Sequence, residues 1–305
     1  MRFNRYQKLA VATVLATIFL IFVGGLVRAA GAGLGCPDWP KCFGMWIPPF
    51  SAEGLPEGFD AELFNPVHTW LEYINRLTGV TIGLLITATF VFSFRYRKSD
   101  PVIPVSAGAA FVLVLVQGWI GGQVVRTGLS AGMITLHMVM AMVIVTVLLF
   151  TAFRATNVRI ELPFSETVRR RLSGLAMVLL GLTVAQMILG TQVREMVDIV
   201  KNVPEPPPRE IWLEELSGWV YPVHRSFSWL VVIAGGALWW MTRRQESPKL
   251  LERLGLAIVG LILLQVVLGV GMDWFGIPGA FQVLHLVGTA VLICAIFLYL
   301  LLVRS

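Results

Sequence analysis

Four histidines, His68, His137, His224 and His285, are the only ones in this chain, and each stands at or near the start of an apolar run. If those runs cross a membrane back and forth, all four imidazoles lie near one membrane face. Imidazoles at matched depth on neighbouring helices can grip a heme iron at its axial positions. An ionisable group inside a membrane segment is a functional candidate, because burying it is costly. His224 lies in Tyr221-Pro-Val-His224-Arg225 and His285 in Phe281-Gln-Val-Leu-His285. Two neutral rings so placed can reach one iron from opposite sides, giving a six-coordinate center that transfers electrons. The positive end of the helix dipole disfavours imidazolium, which keeps both rings available as ligands. Arg194 and Arg225 lie near the same surface and can meet heme propionates through charge-assisted bonds. For a lone histidine, a hydrogen-bonded core residue is the plainer reading; for two matched ones, ligation is.

The first half is less simple. His137 is the counterpart of His285, but upstream the chain reads Asn65-Pro-Val-His68-Thr-Trp-Leu-Glu72-Tyr-Ile-Asn75-Arg76. Matching Pro-Val-His pairs His68 with His224. Matching the residue before arginine pairs Asn75-Arg76 with His224-Arg225, and this fits the apolar run better. His68, Glu72 and Asn75 project from one helix face. Glu72, at the mouth of an apolar bundle, can act as a base or stabilise a developing cation. It can equally be the ion-pair partner of Arg76 or of Arg126.

Cys36 and Cys42 lie in Gly33-Leu-Gly-Cys36-Pro-Asp-Trp-Pro-Lys-Cys42. In an outer compartment such a pair can close a disulfide, either as a staple for a Gly- and Pro-rich loop or as a redox-active pair. Zinc is the weaker reading, since no second pair is near. Cys294 lies in mid-segment and reads as packing.

The elements that must position these groups are membrane helices. The chain is 56% hydrophobic and only 14% charged, with mean hydropathy +0.77. A span needs roughly 20 apolar residues, and such runs cover about 9–27, 74–94, 102–124, 132–153, 172–193, 222–242, 254–272 and 281–303. The first run is longer than a signal-peptide core and ends in Gly24-Gly25, so it reads as a retained helix. The connections on one side, including Arg2, Arg5, Lys8, Arg159 and Arg169-Arg170-Arg171, hold 16 of the 24 basic residues. That asymmetry puts both termini in the cytoplasm. It also makes the net charge of +6 a topology signal, with no case for nucleic-acid binding.

The pattern repeats. Gln117-Gly-Trp-Ile-Gly121, Gln186-Met-Ile-Leu-Gly190 and Gln265-Val-Val-Leu-Gly269 share Q-x-x-x-G, and His137 and His285 each follow their glutamine by twenty residues. Gly24-Gly-Leu-Val-Arg28, Gly122-Gln-Val-Val-Arg126 and Gly190-Thr-Gln-Val-Arg194 close three odd-numbered runs alike. Arg28, Arg76, Arg126, Arg194 and Arg225 are therefore candidates to contact propionates or to orient the ligands. A unit with an even number of helices, used twice, keeps its orientation. The expectation is an all-α membrane protein of eight transmembrane helices, arranged as two pseudo-symmetric four-helix bundles, residues 1–160 and 161–305. Facing helices of a bundle are a usual place for a cofactor.

Gly24-Gly-Leu-Val-Arg28, the Cys36–Cys42 loop, Glu72-Tyr-Ile-Asn75-Arg76, His137, His224-Arg225 and His285 together resemble the heme A synthase family over nearly the whole chain. The resemblance implies oxidation of the C8 methyl of heme O to a formyl group by successive hydroxylations, through a gem-diol that dehydrates. It implies a resident heme b in the second half on His224 and His285. It puts substrate heme O in the first half on His137, alone or with His68, with Glu72 in catalysis and the cysteines paired. One departure stands out: many members carry histidine where this chain has Asn75. The implied setting is the bacterial inner (cytoplasmic) membrane. The implied partners are heme O, membrane lipids and a heme O synthase, with a homo-oligomer as a further option. The rival readings are a di-heme b-type electron-transfer cytochrome and a transporter. The latter would need mid-membrane helix breaks, which the sequence does not contain.

Overall fold

A computed structural model describes residues 3–62, 64–158, 161–201, 203–213 and 218–305; Arg2 and Arg159 of the charge reading lie outside the described residues. Among the described residues the eight α-helices are α1 Arg5–Ala29, α2 Pro66–Ser93, α3 Val102–Arg126, α4 Ala131–Thr156, α5 Glu166–Lys201, α6 Val220–Arg243, α7 Lys249–Trp274 and α8 Gly279–Arg304. Among the described residues the other regular elements are short 3-10 turns. Seven of the helices are long and apolar enough to cross a membrane. The exception is α6, whose first turns carry Tyr221, Pro222, His224, Arg225, Ser226 and Ser228. At 24 residues it is still on the order of 36 Å long. Large apolar side chains such as Leu84, Val105, Ile233 and Val267 stand exposed on these helices, as lipid contact requires. The chain is a multi-pass membrane protein.

Two helices outrun their apolar stretches. α2 starts at Pro66 because Asn65 caps it, accepting from the backbone N–H groups of Val67 and His68 at 3.0 and 3.1 Å, and proline is favoured at the first helical position. α5 continues to Lys201, supported by the Arg194–Asp198 pair one turn apart at 2.9 Å. Hydropathy locates apolar length, whereas caps and i,i+4 pairs decide where the helix stops.

The chain divides into two compact units, Met1–Thr151 and Ala152–Ser305. In the first, α2 packs on both α1 and α3, with Thr13 and Thr89 hydroxyls 2.8 Å apart between α1 and α2. The Thr151 hydroxyl donates to that of Ser106 at 2.8 Å, tying α4 to α3. Phe90 lies over Gly108, where a side chain would meet the ring. In the second unit the neighbours run α5–α6–α7–α8 and back to α5, so α6 and α8 stand on a diagonal. Its core includes Leu172, Leu179, Leu238, Leu251, Ile258 and Tyr299.

Candidate functional site

In the second unit His224 is the fifth residue of α6 and His285 the seventh of α8. Both rings are half-buried, on the diagonally placed α6 and α8. Each rests against a glycine of the preceding helix. A Cβ on Gly190 of α5 would lie 3.2 Å from Cε1 of His224, and one on Gly269 of α7 would lie 3.9 Å from Cε1 of His285. Gln186 donates from Nε2 to the His224 carbonyl at 3.0 Å. The Thr289 hydroxyl sits between the His285 carbonyl at 2.9 Å and Gln265 Oε1 at 3.1 Å.

The first unit repeats the contact once. A Cβ on Gly121 of α3 would lie 3.4 Å from Cε1 of His137, and Gln117 Nε2 donates to the His137 carbonyl at 3.0 Å. A fourth contact has a different partner: Gly24 of α1 faces Asn75, whose Oδ1 would lie 3.8 Å from a Cβ there. Gly24 and Gly190 each stand four residues before the arginine of their motif. The glycine contacts therefore follow the register that matches Asn75 with His224. His68 lies in the first turn of α2, two turns and roughly 10 Å along the axis from Asn75.

Above α2 sits the disulfide loop. Cys36 and Cys42 are bonded, both are nearly inaccessible, and they pack with Phe43, Phe59, Phe64 and Tyr73. Arg76 clamps this loop to the helix. Its Nη1 donates to the carbonyls of Asp38 at 2.7 Å and Lys41 at 2.8 Å, its Nη2 to that of Cys36 at 3.3 Å, and its Nε to Glu72 Oε1 at 3.0 Å. Glu72 is only 6% exposed, so the pair is shielded from solvent. Its ion-pair partner is thus Arg76; Arg126 is exposed. Gly35 is obligatory because a Cβ there would fall 2.2 Å from the His68 carbonyl, and Thr69 Oγ1 donates to the Gly35 carbonyl at 2.9 Å. Trp39 covers Gly122 of α3, where a Cβ would lie 2.8 Å from the ring. The loop is therefore seated on both α2 and α3. Asp38 shapes its turn by accepting from the N–H groups of Phe43 and Gly44, the latter at φ +71°.

The remaining arginines differ in setting. Arg194 is mostly buried, pairs with Asp198 and donates from Nη1 to Gln282 of α8 at 2.7 Å, while its Nε is buried without a partner. Arg225 is exposed and lies over the Tyr221 ring, 5.5 Å from its centroid. Arg28 closes α1, half-buried.

These residues fit a heme. His137, His224 and His285 each keep a buried Nδ1 with no partner, while Nε2 of His224 lies 3.4 Å from Gln186 Nε2. Each ring lies beside a glycine that leaves it room, and neutral imidazole is a usual iron ligand. The sequence patterns had marked the Gln and Gly positions as repeats without revealing their contacts. Gly35, Asp38 and Trp39 stand in the sequence only as members of the cysteine-loop motif, and Thr69 carries no signal there.

Residues 7–297 match the family model COX15-CtaA, described as a cytochrome oxidase assembly protein. A Heme A synthase of Shewanella oneidensis is 26% identical over 306 residues, covering 92% of this chain and 91% of its own. A Heme A synthase of an Exiguobacterium species is 30% identical over 261 residues, covering 83% and 78%. A Heme A synthase of Dinoroseobacter shibae is 28% identical over 326 residues, covering 92% and 82%.

Proposed function

The chain belongs to the COX15-CtaA family of cytochrome oxidase assembly proteins, and on that premise we propose that it is a heme A synthase, an oxidoreductase that converts the C8 methyl of heme O to a formyl group. The observation that carries the reading beyond family membership is the shielded Glu72–Arg76 pair, which shares its unit with His137.

In this reading His224 and His285 would hold a resident heme b, which when bound would supply one-electron transfer. His137 binds the iron of heme O. Asn75 stands where a second imidazole would be, and a carboxamide is a poor iron ligand, so His137 would be the main protein group to hold the substrate iron. His68, two turns outward, belongs to the mouth of the site. Each hydroxylation puts a water-derived oxygen on the methyl carbon and releases two protons and an electron pair, which an external oxidant must accept. Glu72 takes up a proton at its carboxylate or stabilises the developing positive charge beside it. Arg76 holds Glu72 Oε1 in place and keeps bulk water away by anchoring the loop. The second hydroxylation gives the gem-diol, which loses water to the aldehyde. Arg194 and Arg225 in the second half, and Arg28 and Arg126 in the first, are the candidates for propionate contacts.

The same reading puts the protein in the bacterial inner membrane with both termini cytoplasmic, as the basic loops require. It also takes residues 1–160 and 161–305 as two pseudo-symmetric four-helix bundles. Heme O is too insoluble to diffuse freely, so a heme O synthase is the natural donor. Co-expression with a source of heme O, followed by extraction of the pigments, tests the activity. Heme A should accumulate with the native chain and be absent with Glu72→Gln. Heme O left unconverted by the native chain would remove the proposal in favour of a di-heme cytochrome.

A further inference from the structure

Among the glycines of one helix that face a residue of the next, four face a histidine or Asn75, and they form a pattern that the proposed heme binding does not by itself require. Gly121, Gly190 and Gly269 face the Cε1 edges of His137, His224 and His285, and each follows a glutamine by four residues. Gln117 and Gln186 donate to the carbonyl of the same histidine whose ring their glycine receives. One neighbouring helix thus fixes a histidine at both ends, at its carbonyl and at its ring. Gln265 reaches His285 through the Thr289 hydroxyl, and its Nε2 occupies the space that a side chain on Gly288 would fill. The fourth case is the contrast: Leu20 stands four residues before Gly24, and the residue facing that glycine is Asn75. Glutamine accompanies glycine only where an imidazole is the partner.

We infer that Gln117 and Gln186, together with the glycines Gly121 and Gly190, are positioning residues that set the height and rotation of the ligand imidazoles His137 and His224. The glutamine fixes the backbone from which the ring projects. The glycine contacts Cε1, the carbon between the two ring nitrogens, so an added methyl would turn or push both nitrogens together. The clearances give an order. At 3.2 Å the His224 ring must yield to a Cβ on Gly190, at 3.4 Å the His137 ring meets one on Gly121 at the limit of ordinary contact, and at 3.9 Å the His285 ring has room. Outer contacts that orient metal ligands typically change metal affinity roughly 10- to 100-fold when lost.

The inference rests on the proposed heme ligation, and the experiment separates the two. The full-length protein is purified with its heme, and the g values of the low-spin ferric heme, the heme-to-protein ratio and the rate of heme loss are recorded. Gly190→Ala and Gln186→Leu should each shift the largest g value or weaken heme affinity roughly 10-fold or more, read as faster heme loss to an apo-protein acceptor. Gly260→Ala, where a Cβ would meet nothing within 4 Å, should change neither. A pure helix-packing role would alter thermal stability without moving the g values of the heme retained. If Gly190→Ala does not accumulate, Gln186→Leu decides alone, since it adds no bulk at the helix contact. Native-like spectra and heme-loss rates in both variants, or an equal shift in Gly260→Ala, overturn the inference. A native protein without heme overturns the proposed ligation instead.

Discussion

Replacing Arg76 by methionine should expose the Cys36–Cys42 disulfide to reductant. The two cysteines are at most 1% exposed, so a water-soluble reductant reaches them only when the loop lifts from α2. Arg76 opposes that opening with three bonds to loop carbonyls and one to Glu72, and its side chain is only 14% exposed. Removing one partner of a buried ion pair costs about 3–5 kcal/mol, because the other charge is left without compensation. At roughly 1.4 kcal/mol per factor of ten, the open population rises by about two to three and a half powers of ten. The assay is the rate of reduction by a membrane-impermeant phosphine, read by thiol labelling of the purified protein. Arg76→Lys should fall between native and methionine, since an ammonium keeps the charge but cannot span all four acceptors. Glu72→Gln combined with Arg76→Met should be reduced more slowly than Arg76→Met alone, because no uncompensated charge remains. A reduction rate in Arg76→Met within about threefold of native would refute the clamp, as that corresponds to under roughly 1 kcal/mol.

Other outcomes follow from the same geometry. Asn75→His puts an imidazole opposite Gly24, so substrate heme should become low-spin and lose carbon monoxide binding in difference spectra. Glu72→Gln should lower heme A formation about 10²–10⁴-fold, the usual contribution of a positioned acid–base group, while heme content by pyridine hemochrome stays native. Gly35→Ala should prevent the loop from seating, because its methyl would overlap the His68 carbonyl; limited proteolysis within residues 36–62 should then accelerate.

The helices were legible in the sequence because roughly 20 consecutive apolar residues leave little alternative in a bilayer. Their ends were not. α2 and α5 extend through polar residues because Asn65 and Pro66 start one and the Arg194–Asp198 pair prolongs the other, and neither is visible to hydropathy. The histidines were conspicuous by depth, and the Q-x-x-x-G repeats by spacing. The meaning of that repeat, a donor to the histidine carbonyl and room for the ring, is a contact between helices that spacing along one helix cannot reveal. The choice between Arg76 and Arg126 as partner of Glu72 had the same obstacle. An i,i+4 pair was possible locally, but only the folded loop shows that Arg76 also has three carbonyls to hold. The two possible matches for His224 are separated by Gly24, which faces Asn75.

The central claim is that imidazoles of α6 and α8 hold one iron between them. It is tested most directly by the low-temperature EPR spectrum and pyridine hemochrome of the purified native chain beside His224→Ala and His285→Ala. The account predicts a low-spin b-type signal in the native protein that disappears or turns high-spin in either variant. An unaltered low-spin signal in both variants, or a native protein that carries no heme when supplied with iron and porphyrin precursor, would contradict it.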